Sequence, residues 1–280
     1  MSEEDELMKK RPYEKGSLYD KLWEGYRNLK LPNFSDEDEK KLSCPLFIYP
    51  GSKCKLGKGI FIIGQEMHGW GGNDQTIGNS YNSFKNCSDD KCNGNHTKES
   101  TLMDRQKEWL EKDYANEKGA FLMAVKTITG ITTGKDFLDS QFVWDNLVAM
   151  DYDQVSYKGD RRKGKIGLKS QYRPALMEYS KQKLRMEFAV AKPKLAIFFI
   201  GHYADGKDEF WGMFKENEVE NFVGNFEGCP NLNQFTLNLK KENVKIECYS
   251  TYHPAYPNWD KSDKNAVLKK LAEIIEKNKT

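Results

Sequence analysis

Two short runs in this chain are apolar at almost every position, and each is closed by glycine: Gly59-Ile60-Phe61-Ile62-Ile63-Gly64 and Leu195-Ala196-Ile197-Phe198-Phe199-Ile200-Gly201. A strand with one wet face alternates polar and apolar residues, so a run without alternation marks a strand covered on both sides. Such strands belong to a parallel sheet with helices above and below it.

The rest of the chain supplies those helices. Leu18, Leu22, Tyr26 and Leu29 recur at spacings of three and four, which predicts a helix over Leu18 to Leu29. Helical patterns resume from Leu102 to about Tyr114 and from Ala120 to Ile131. Tyr172 to Ala191 is a long helix stopped by Pro193, and Asp263 to Lys277 is the closing helix. Gln141 to Met150 is apolar and ends as a strand, while Val244 to Tyr249 alternates and carries β-branched residues. The expected architecture is a doubly wound three-layer α/β/α sandwich around a central, mainly parallel four-stranded sheet. No linker-like stretch divides the 280 residues, so a single domain is expected over 1–280. It carries an N-terminal helical extension (about 1–45) and a long Gly/Asn/Ser-rich loop insertion (about 69–100).

The 44 basic and 42 acidic side chains leave a formal charge of +2, so binding to a polyanion has to come from a local patch. The best one is Arg161-Arg162-Lys163-Gly164-Lys165, where glycine lets basic residues follow a phosphate chain. By itself it reads more readily as a solvated basic loop than as a polyanion contact. Met1 to Arg11 is charged and lacks an apolar core, and no run reaches the ~18 apolar residues of a membrane span. A cytoplasmic protein is expected, with its six cysteines reduced. Cys87, Cys92 and His96 stand close together, but C-x4-C-x3-H is no strong zinc pattern and a fourth ligand is missing. No metal or cofactor is expected.

In doubly wound sheets ligands sit beyond the carboxyl ends of the strands. The unusual residues fall there. Gln65, Glu66 and His68 follow the first buried run directly, and a carboxylate so placed can orient or deprotonate a water. Ser250 to Trp259 packs two prolines and three aromatic residues around His253, one of four histidines in the chain. Each proline fixes its own φ and restricts its predecessor, so this loop is stiff and suits a hydrogen bond aimed at developing charge. The plainer readings are a carboxylate that caps a turn and a structural histidine.

Together, Gly64-Gln65-Glu66 after one strand and Tyr252-His253-Pro254-Ala255 after a late one resemble the two signature motifs of the uracil-DNA glycosylase superfamily. Asn146, in Trp144-Asp145-Asn146-Leu147, is similar to the asparagine that reads the base edge, and Phe199 to Ala204 resembles the third strand and its exit. The resemblance runs from about Gly59 to Trp259 as an order of motifs. It implies base flipping in duplex DNA by a monomer, then hydrolysis of the N-glycosidic bond. Glu66 would position the water and His253 would stabilise the departing base. Gln65, His68 and Asn146 would contact the base, with Tyr81 or Phe84 against its face. Arg161, Arg162, Lys163 and Lys165 would hold phosphates, and Tyr256, Pro257, Asn258 and Trp259 would fill the gap in the duplex.

The chain departs from the family at two points. Glu66 stands where aspartate is usual, one methylene longer, and Met67-His68 replaces a proline-tyrosine whose ring excludes bases substituted at the 5-position. A base bulkier than uracil is therefore expected, such as a hypermodified cytosine of phage DNA, which points to phage defence. The competing readings are a non-catalytic module that recognises such a base in the same pocket, a uracil-excising repair enzyme, and an enzyme of free nucleotides or sugar phosphates. Neither a Gly-x-Gly-x-x-Gly turn nor a Gly-x4-Gly-Lys-Ser/Thr loop is present to support the last.

Overall fold

The computed structural model describes residues 16–30, 35, 45–65, 102–149, 173–200 and 213–279. In chain order its main elements are helix α1 (Leu18–Arg27), strand β1 (Ile60–Gly64), helices α2 (Leu102–Lys112), α3 (Ala120–Thr129) and α4 (Gly134–Leu138), and strand β2 (Phe142–Asn146). Then follow helix α5 (Arg173–Ala191), strands β3 (Leu195–Phe199), β4 (Val219–Val223), β5 (Asn233–Leu239) and β6 (Val244–Thr251), and helix α6 (Lys261–Asn278).

The two glycine-closed runs lie side by side as β1 and β3, both fully buried. β2 pairs in parallel with β1, and β6 in parallel with β3. The side chains divide by parity. Phe61, Ile63, Val143, Ala196 and Phe198 face a core that includes Leu22 and Tyr26 of α1 and Leu184 and Phe188 of α5. Ile60, Ile62, Phe142, Ile197 and Phe199 face a second core with Leu122 and Val125 of α3 and Val267 and Leu271 of α6. Helices thus cover both faces of the parallel strands, which is why those strands carry no polar alternation.

The sheet is not four-stranded. Its order is β2-β1-β3-β6-β5-β4, with β5 and β4 added antiparallel beyond β6, so it is a mixed sheet of six strands. The two extra strands read poorly in sequence for a physical reason. β5 does alternate, with Phe235, Leu237 and Leu239 buried, but it opens on Asn233 and carries Asn238 between the last two, and asparagine is a residue that strands disfavour. β4 is an edge strand with Phe222 and Val223 exposed, so it shows no buried pattern at all. Among the described residues no helix is long and apolar enough to cross a membrane.

Ends of elements follow local chemistry. Ser17 caps α1 by accepting from the Asp20 N–H, and Gly130 closes α3 in the left-handed conformation. Gly25 lets α1 approach α5, because a Cβ there would stand 2.3 Å from the sulfur of Met186. Asp260 caps α6 by accepting from the Ser262 and Asp263 N–H groups, which fixes where the preceding loop must end.

Candidate functional site

The carboxyl ends of β1 and β2 are tied together past the last ladder pair. Leu147 donates to the Gly64 carbonyl at 2.8 Å and Val148 to the Gln65 carbonyl at 3.1 Å. Gly64 pairs in register with Asn146, whose side chain is buried and lies over the glycine. A Cβ on Gly64 would meet Asn146 Oδ1 at 2.5 Å and the ring of Phe121 at 3.3 Å. Glycine is therefore required here by the close approach of the Asn146 side chain. Gln65, half-buried, is the last described residue of this segment.

Phe121, in the first turn of α3, joins this corner to the late loop. Its ring stacks nearly parallel on His253, with centroids 6.1 Å apart and planes 11° apart, and meets Phe199 edge-on at 5.9 Å. Asn146, Gly64, Phe121 and His253 thus come from four separate segments to one edge of the parallel strands. Among the described residues no side chain caps α3 at Gly119, and its first turn, which carries Phe121, brings the positive end of the helix dipole to this edge.

The His253 loop is held by its own contacts. Tyr256 N–H donates to the His253 carbonyl at 2.8 Å, and Lys264 Nζ to the Pro254 carbonyl at 2.6 Å. The imidazole Nδ1 accepts the Ala255 N–H at 3.2 Å. In the neutral ring the proton then sits on Nε2, which makes that nitrogen the donor.

Sequence reasoning places Trp259 among the groups that enter DNA, and this is corrected. Trp259 is only 7% exposed, belongs to the core that contains α6, and meets Tyr252 edge-on at 5.9 Å. A stiff loop needs an apolar root, and Trp259 is that root. Pro257 and Asn258 are exposed beside it, and Tyr256 packs half-buried on Tyr252 at 4.9 Å. Glu66, His68, Tyr81, Phe84, Arg161, Arg162, Lys163, Lys165 and the trio Cys87, Cys92 and His96 lie outside the described residues.

Two features escape a sequence reading. Phe121 is one apolar residue in an apolar helix, with nothing local to mark it. The second is a buried charged group on the opposite face of β2: Asp145 Oδ1 accepts from Lys183 Nζ at 2.6 Å, and Lys183 also reaches Glu187 at 2.8 Å, all three without solvent exposure. Among the described residues no cluster of three or more His, Cys, Asp or Glu is placed to hold a metal ion. Burial pushes the Cys54 thiol up to about 12 and Cys248 well above its ordinary value, so neither is a nucleophile at neutral pH. Comparison with protein-family models and with curated proteins finds no match for this chain.

Proposed function

We propose that the chain is a monofunctional DNA glycosylase that turns a target base out of duplex DNA and hydrolyses its N-glycosidic bond to leave an abasic site. The substrate proposed is a base bulkier than uracil, such as a hypermodified cytosine of phage DNA. The observation that carries this reading is the gathering of Asn146, Gly64, Phe121 and His253 at one edge of the parallel strands. That edge holds an amide suited to a base edge, an aromatic ring, and an imidazole whose Nε2 is the donor.

In this mechanism Asn146 hydrogen-bonds the flipped base while Glu66, which follows Gln65 in the chain, orients a water. The water oxygen bonds to the sugar carbon as the carbon–nitrogen bond breaks, and the bonding pair leaves with the base. His253 Nε2 donates to the base oxygen where that charge gathers, and Glu66 takes the proton released by the water. One preorganised donor of this kind is worth ~3 to 4 kcal/mol of barrier. Met67-His68, in place of the ring that blocks 5-substituents in the family, supports the larger substrate.

Alkaline cleavage of oligonucleotides and of phage genomes with modified cytosines tests the reading, with gel shifts run in parallel. Glu66→Gln is expected to bind as the native chain does and to yield no abasic sites. Shifted complexes without strand cleavage by the native chain would replace the enzyme with a binding module. Cleavage confined to uracil-containing duplexes would remove the bulky-base assignment.

A further inference from the structure

We propose that Asp145, Lys183, Glu187 and Tyr26 form a buried lock in which a single proton is shared between the two carboxyls, with Glu187 its neutral member. This proton fixes the carboxyl end of β2, the segment that carries Asn146. The inference stands whatever Asn146 recognises, since it concerns how the edge is held.

The geometry supplies the argument. Lys183 and Glu187 are one turn apart on α5, Asp145 is the penultimate residue of β2, and Tyr26 ends the buried stripe of α1. Lys183 Nζ donates to Asp145 Oδ1 at 2.6 Å and to Glu187 Oε2 at 3.0 Å. The Tyr26 hydroxyl donates to Glu187 Oε1 at 2.5 Å and accepts the Ile48 N–H at 3.1 Å. Lys183, Asp145 and Glu187 are fully shielded from water and Tyr26 is 1% exposed. One ammonium therefore faces two carboxyls, and a second negative charge would stand uncompensated where no water reaches it. A buried group in that position takes up a proton instead.

The hydrogen bonds say which carboxyl takes it. Asp145 Oδ2 is buried and receives no donor from the described residues. A proton on Glu187, whose carboxyl lies in hydrogen-bonding contact with Asp145, supplies one, while Oε1 goes on accepting from Tyr26. The titration directions agree. Burial first, then the Asp145 charge, hold Glu187 well above the ordinary carboxylate range against the pull of Lys183. Burial opposes the Lys183 charge, but Asp145 and Glu187 outweigh it and keep the ammonium. Tyr26 is raised by burial and then by Glu187, so it stays a donor. These groups come from α1, β2 and α5, the three elements that meet at the lock, and the Ile48 backbone closes it.

The sign of the pH dependence follows. An acid whose folded-state pKa is raised contributes stability at low pH that is lost as pH rises through the raised value. Native chain, Glu187→Gln and Glu187→Ala are melted from acid to alkaline pH, and isotope-edited infrared spectra of glutamate-labelled native chain are recorded alongside. The amide of Glu187→Gln is neutral, keeps a donor toward Asp145, and keeps the carbonyl acceptor that Tyr26 and Lys183 share. It is expected to melt at or above the native chain and to remove its alkaline decline, while Glu187→Ala melts lower throughout. The native chain is expected to show a protonated carboxyl band at neutral pH, and the Asn146 side-chain amide resonance to shift with the midpoint at which that band disappears. A Glu187→Gln chain as unstable as Glu187→Ala, or a native spectrum holding only carboxylate at neutral pH, overturns the shared proton. An Asn146 resonance indifferent to the titration overturns the link to the edge.

Discussion

Gly64 shows how far one residue can set a site. Its backbone is ordinary strand, and what demands glycine is the Asn146 oxygen that would lie 2.5 Å from a Cβ. Gly64→Ala is therefore expected to push Asn146 and Phe121 aside at a cost of about 1 to 3 kcal/mol, as overpacking does. Denaturant unfolding is expected to show a lower midpoint at unchanged slope, and cleavage to fall further than stability accounts for. Native stability in Gly64→Ala would mean that Asn146 is free to move. The glycine is visible in sequence as the end of an apolar run, but the side chain it makes room for is 82 positions away in register and has no local signal.

Among the elements, the late loop depends on its root. Trp259 is buried against Tyr252 and the α6 core, so Trp259→Ala is expected to cost about 3 to 5 kcal/mol and to loosen His253. Trp259→Phe is expected to cost clearly less, because the indole N–H is buried without a hydrogen-bond partner among the described residues and its removal loses none. Thermal melting of the two variants checks this, and equal losses would show that the indole N–H is satisfied after all. The contrast also explains what was legible. β1, β3, β6 and the helices α1, α2, α3, α5 and α6 were readable because apolar spacing is local, and each lies within two residues of its expected ends; the short helix α4 was not read, and β2 occupies the start of the apolar stretch from Gln141 to Met150, not its end. β4 and β5 were not readable, because their stability comes from pairing with β6, and their side chains advertise turns and solvent. Trp259 was misread for a related reason: three aromatic residues in a Pro-rich loop look alike until packing distinguishes the anchor from the tip.

Across the whole molecule, α5 holds two charged systems of opposite pH signature. The Lys183 lock faces the parallel strands, whereas Arg185 clamps Glu218 and Glu242 and so ties α5 to the antiparallel end of the sheet. The Arg185 hydrogen bond draws the Glu218 carboxyl down to about 2. A depressed acid contributes stability above its ordinary pKa and loses it as pH falls through the depressed value. Glu218→Gln is thus expected to flatten the acid limb of melting temperature against pH and to leave the alkaline limb alone. The effect is modest, since partly exposed pairs are screened. An acid limb as steep in Glu218→Gln as in the native chain would assign it to other carboxylates. None of these pairings could be read from the chain, where Lys183, Arg185 and Glu187 are charged residues of a helix with nothing local to mark their distant partners.

All of this bears on the proposed chemistry through one event, the release of a base from DNA. The most direct measurement is mass spectrometry of the small molecules set free when the chain is mixed with uracil-containing duplexes and with phage DNA bearing modified cytosines. The account predicts a free modified base in step with abasic sites, falling on the order of 10²- to 10³-fold in a folded His253→Ala chain. Release of no base from any of these DNAs by the folded native chain, or undiminished release by His253→Ala, would contradict it.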